Sequence, residues 1–71
     1  MEQFIILGRK GKVAGNAVVQ IDDNYFEIQN GEGEINVATG TYFVRVLSMG
    51  YHSFAEEVEV VEGQSVEIQL R

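Results

Sequence analysis

G-T-Y-F-V-R-V-L-S-M-G-Y, from Gly40 to Tyr51, is the stretch that decides the fold. Successive side chains of a strand point to opposite faces, so Tyr42, Val44 and Val46 share one face while Phe43, Arg45 and Leu47 share the other. Gly50 can then adopt a backbone angle that Met49 or Tyr51 would resist, and the strand closes in a glycine-aromatic turn. The stretch specifies a half-buried strand and so identifies a fold and not a chemistry.

The same alternation extends in both directions. Phe4 to Leu7 reads as an opening strand, favoured for the core, and Gly8 to Lys12 as the turn after it. Ala17, Val19 and Ile21 alternate with Val18 and Gln20 up to the turn-forming Asp22, Asp23 and Asn24. Phe26 and Ile28 point one way from a third strand, and Asn30-Gly31 follows as a hairpin signal because both positions tolerate positive φ. Ile35 and Val37 continue the sheet. After the central strand, Val58 and Val60 mark a sixth, Glu62-Gly63-Gln64 a turn, and Val66, Ile68 and Leu70 the inward positions of a seventh. Val19, Ile21, Phe26, Ile28, Ile35, Val37, Tyr42, Val44, Val46, Val58, Val60, Val66, Ile68 and Leu70 form the expected core. Seven short strands without proline, separated by turns, predict two packed sheets.

Size and charge narrow the function. A chain of 71 residues buries only about 60% of its unfolded surface. It has no cysteine and a single histidine, so neither a disulfide nor a structural zinc site supports its core. Eleven acidic residues against five basic give a net charge of −6, which repels nucleic acid. The Phe4–Leu7 run precedes its basic residues and is too short for a signal peptide, and no run approaches the roughly 20 apolar residues of a membrane span. The compartment stays open.

The second face of the central strand is the candidate site. Phe43, Leu47 and Met49 flank Arg45, and Val18 and Tyr25 extend the row if their strands lie alongside. Contiguous outward apolar residues mark contact surfaces, and Phe, Tyr, Met and Arg are enriched at interface centres. The competing reading is that a loop or the N-terminal segment covers the row.

Three segments, G-N-A-V-V-Q-I from Gly15, G-T-Y-F-V-R-V with Gly50-Tyr51, and V-E-V-V-E-G-Q-S-V-E-I-Q-L closing at Leu70, resemble the transthyretin-like or prealbumin-like sandwiches. That group includes carboxypeptidase regulatory-like, PEGA and Cna-B-type domains. The resemblance covers Gly15 to Leu70 and implies an all-β, seven-stranded (six to eight), antiparallel immunoglobulin-like or prealbumin-like β-sandwich with no active site, and the lack of any linker or composition shift predicts a single domain over residues 1–71. It also implies an accessory module of the kind appended to enzymes, surface stalks and bacteriophage structural proteins. Such domains usually sit inside longer proteins, so a chain of 71 residues is expected to act as a subunit of an assembly, virion-associated or at a cell surface.

Cna-B-type domains can form a Lys–Asn isopeptide crosslink. Lys10 or Lys12 would be the amine and Glu57 or Glu59 the acid, but no asparagine follows Asn36. His52 and Ser53, adjacent on an extended chain, point apart and suit proton transfer poorly. Asp22, Asp23, Asn24 and Glu27 carry oxygen ligands but not the spacing of a calcium loop. The glycines of Gly8–Gly15 and Gly31–Gly33 lack the phosphate-loop ending. No catalytic residue, metal or cofactor is expected. The expected function is therefore a non-enzymatic module that docks on a protein partner or on copies of itself. The alternative is a carbohydrate-binding module with exposed Tyr25, Tyr51 or Phe54 as stacking platforms.

Overall fold

The structure is a computed structural model and describes residues 2–71. Its strands are β1 (Glu2–Leu7), β2 (Ala17–Ile21), β3 (Asn24–Ile28), β4 (Glu32–Ile35), β5 (Gly40–Ser48), β6 (Phe54–Val60) and β7 (Val66–Gln69). A single 3-10 turn, Arg9–Gly11, follows β1. The strands form two sheets, ordered β4-β1-β7 and β3-β2-β5-β6. The shortest extent of the molecule, 17 Å, suits two sheets stacked about 10 Å apart.

Alternation places the core between the sheets. Phe4 and Ile6 of β1, Val19 of β2, and Val44 and Val46 of β5 are wholly buried, with Ile21, Ile28, Ile35, Val60, Val66, Ile68 and Leu70 buried around them. Phe26, Val37, Tyr42 and Val58 are only partly buried and pack against this cluster. Ala14 and Ala17 join it as small residues where the link from β1 meets the second sheet. Burial of a side chain such as Phe4 contributes about 2–3 kcal/mol, a large share of what a domain this small has.

Several expectations are corrected. The sandwich is not wholly antiparallel, because β1 and β7 pair in parallel, Phe4 opposite Val66 and Ile6 opposite Ile68. Turn signals report only strands that neighbours in sequence can join, whereas a parallel pair needs a long crossover. Here the crossover holds β2 to β6. Leu70 extends that ladder past β7, its N–H donating to Leu7 O at 2.7 Å.

Asn30-Gly31 turns as expected, with φ of 57° and 71°, but the strands it joins part into different sheets. The pairing it leaves is one bridge, Gln29 to Glu32. Gly31 is held against the link before β2: a Cβ there would lie 2.5 Å from Ala14 O, and its own carbonyl accepts from Ile6 N–H at 2.6 Å. Val37 does not continue a sheet. It lies between β4 and β5, its N–H folded back onto Ile35 O at 3.1 Å.

Candidate functional site

The exposed face of the four-stranded sheet is assembled by register. Val18 on β2 lies opposite Leu47 on β5 and Glu27 on β3. In the next row Gln20 separates Tyr25 from Arg45, and Arg45 faces Ala55 on β6. Phe43 then lies opposite Glu57, and Thr41 opposite Glu59. Phe43, Arg45, Leu47, Val18 and Tyr25 therefore share one surface, and Met49 sits just past the end of β5 in the loop to β6.

Exposure distinguishes these side chains. Phe43 is 44% exposed, Leu47 56%, Tyr25 69% and Met49 97%, while Val18 is half-buried between its two neighbours. The Arg45 guanidinium stands 5.4 Å from the Phe43 ring centroid, a cation-π contact that holds the charge over the apolar row. Where Val18, Leu47 and Met49 meet Glu27 and Asn16, the surface dips into a hollow of about 330 Å³. The N-terminal segment does not cover this face. It forms β1, the central strand of the opposite sheet.

A second cluster closes one end of the sandwich. The Gly8 backbone lies against the Tyr51 ring, so closely that a Cβ on Gly8 would come within 2.7 Å of Tyr51 Cζ. That approach brings Arg9 over the ring, its Cζ 4.8 Å from the centroid, while Nη2 donates to Gly50 O at 2.7 Å. Gly50 adopts φ of 88°, and the Tyr51 N–H donates to Ser48 O at 3.2 Å to complete the turn. The His52 N–H donates to Arg71 O at 2.6 Å, tying the β5–β6 loop to the segment beyond β7. Arg9, Gly50, Tyr51, His52 and Arg71 line an open cleft of about 490 Å³.

The remaining candidates are dispersed. Lys10 and Lys12 are exposed in the turn after β1, Glu57 and Glu59 are exposed on the outer face of β6, and Asn36 is exposed between β4 and β5. An isopeptide crosslink needs amine, acid and amide together in a dry core, and these groups do not meet in one. His52 and Ser53 are exposed in the loop before β6, on the rim of a cleft that also touches Glu56 and Glu67. Asp22 and Asp23 make the two-residue turn of the β2–β3 hairpin, with Asp22 at φ of 53°. Among the described residues no three His, Cys, Asp or Glu side chains gather to hold a metal ion, and no helix is long and apolar enough to cross a membrane.

The stacking platforms need correction. Tyr51 and Phe54 are partly buried and packed against the core, and Arg9 covers one side of the Tyr51 ring. Tyr51 lies in the β5–β6 loop and Phe54 opens β6 opposite Val46, positions that a reading of local sequence treats as open. Tyr25 alone of the three is exposed. No local pattern signals the meeting of Arg9, the Tyr51-His52 pair and Arg71, because these three segments are far apart in sequence.

No curated protein matches the chain. A family model described as the PEGA domain matches residues 13–71, from within the link between β1 and β2 to the segment past β7, and leaves β1 outside the matched stretch. The two-sheet architecture and that match agree: the chain belongs to the PEGA domain family.

Proposed function

We propose that this chain is a non-enzymatic interaction module, a sandwich of immunoglobulin-like or prealbumin-like type, that docks on another protein through the outer face of its four-stranded sheet. The observation that carries the reading is the exposed apolar row of Phe43, Leu47 and Met49 with Tyr25 beside it. Scattered exposed apolar residues are ordinary, but several that share one face, with Val18 beside Leu47 and with Phe43 on the far side of Arg45, are the pattern of a contact surface. A face bounded by the 29 Å and 22 Å extents offers about 600 Å² per partner, enough for a modest specific interface.

Charge selects the partner. Glu27, Glu57 and Glu59 surround the row and the whole chain carries −6, which opposes a second copy and favours a protein surface with an apolar centre and a basic rim. In this reading the module is an accessory subunit of a larger assembly, such as a virion or a bacterial surface structure.

The test compares co-purification from the native source by the wild-type chain, by Phe43→Asp with Leu47→Asp, and by Glu34→Lys on the opposite sheet. A partner retained by wild type and Glu34→Lys but lost by the double variant, with thermal melts unchanged, is the expected outcome. Identical partners for all three, or a wild-type chain that sediments as a dimer dissolved by the double variant, would overturn the reading.

A further inference from the structure

The strands orient the charges of the links between them. Registers within each sheet, with the antiparallel Gln29–Glu32 bridge that relates the two sheets, show β1, β3, β5 and β7 running toward one end of the sandwich and β2, β4 and β6 away from it. At the first end lie residues 8–16, 29–31, 49–53 and 70–71, which carry the basic side chains Arg9, Lys10, Lys12 and Arg71 and no acidic one. These are four of the five basic residues in the chain. At the other end lie residues 22–23, 36–39 and 61–65, whose charged side chains are Asp22, Asp23 and Glu62. An acidic protein thus presents one cationic end.

That end also holds the open cleft. Arg9 is positioned by Tyr51 and by Gly50 O, both uncharged, and a guanidinium has five N–H donors of which this hydrogen bond uses one. Planar guanidinium groups fit carboxylates in a two-pronged geometry that a lysine ammonium does not reproduce. We propose that the cleft lined by Arg9, Gly50, Tyr51, His52 and Arg71 binds the carboxylates of an acidic peptide segment. The surface is separate from the Phe43–Leu47 face, so this proposal and the docking reading stand or fall independently.

Magnitudes decide against a second copy stacked end to end. The long axis of 29 Å matches nine-residue β5 at about 3.3 Å per residue, so the end measures 22 by 17 Å. Contact over all of it buries about 370 Å² per copy, less than half of the roughly 800 Å² per partner in a standard interface. A short segment entering a cleft of about 490 Å³ does not need that area, and the cleft lies within the usual range of ligand sites.

Fluorescence anisotropy with a fluorescein-labelled hexaglutamate peptide at low ionic strength tests it. The expected result is saturable binding that falls about tenfold when salt rises from about 20 mM to about 200 mM, as screening of exposed charges requires. Arg71→Gln should weaken binding about threefold to fivefold. Arg9→Lys should do the same with charge retained, because the fork and the ring contact are lost. Arg45→Gln on the sheet face should leave it unchanged. Equal weakening by Arg45→Gln and Arg71→Gln, absence of saturation, or oligomers dissolved by Asp22→Asn with Asp23→Asn would overturn the proposal.

Discussion

The two outer faces of the sandwich obey the same alternation and end with opposite characters. On the three-stranded sheet, Ile5 of β1 sits between Glu32 of β4 and Glu67 of β7, Gln3 faces Glu34, and Leu7 faces Gln69. Its outward apolar residues stand on a central strand with polar neighbours, and Ile5 and Leu7 are half-buried. On the four-stranded sheet, Phe43 and Leu47 flank Arg45 along one strand, with Val18 across from Leu47. Carboxylates guard the first face from within and surround the second only at its margin. The difference teaches that an apolar outward residue signals contact only when its cross-strand neighbours leave it uncovered.

The largest expected effect removes what the faces share. Phe4→Ala deletes a wholly buried ring from the central strand of the three-stranded sheet, and large core truncations of this kind cost about 3–5 kcal/mol. Urea unfolding would show the midpoint collapse; a loss under about 1 kcal/mol would mean that β1 packs less tightly than described. Next comes Gly31→Ala, where a left-handed backbone and the Ala14 carbonyl both oppose a side chain. A destabilisation of about 1–3 kcal/mol is expected in the same measurement.

The smallest effect is the sharpest comparison. Ile5→Glu places a third carboxylate between Glu32 and Glu67 and should cost about 1–2 kcal/mol, with part of the loss recovered in high salt. Leu47→Glu, at an outward position already 56% exposed, should stay within about 0.5 kcal/mol. If the two substitutions cost the same, the contrast between guarded and open faces disappears.

Much of this was legible from residue order. Val44 and Val46 inward with Phe43, Arg45 and Leu47 outward follows from period two, and the turns at Asp22-Asp23 and Gly50 follow from residues that accept unusual backbone angles. Met49 was placed less well, since the alternation of β5 stops at Ser48. The hairpin expected at Asn30-Gly31 shows the limit most clearly. The dipeptide governs how two residues bend, but β3 is already paired with β2 through the Asp22-Asp23 turn, and β4 finds its partner in β1, a strand far away in sequence.

Sequence alone therefore determined the strands, most of their turns, and which side chains of β5 face the interior, since those are set by backbone preference and by alternation between immediate neighbours. Tertiary structure decided that β1 and β7 run side by side in parallel, that Asn30-Gly31 passes the chain from one sheet to the other, and that Arg9, Tyr51, His52 and Arg71 converge at one end. Those outcomes depend on how two whole sheets bury their apolar faces together, a condition satisfied by residues too far apart for any local pattern to carry.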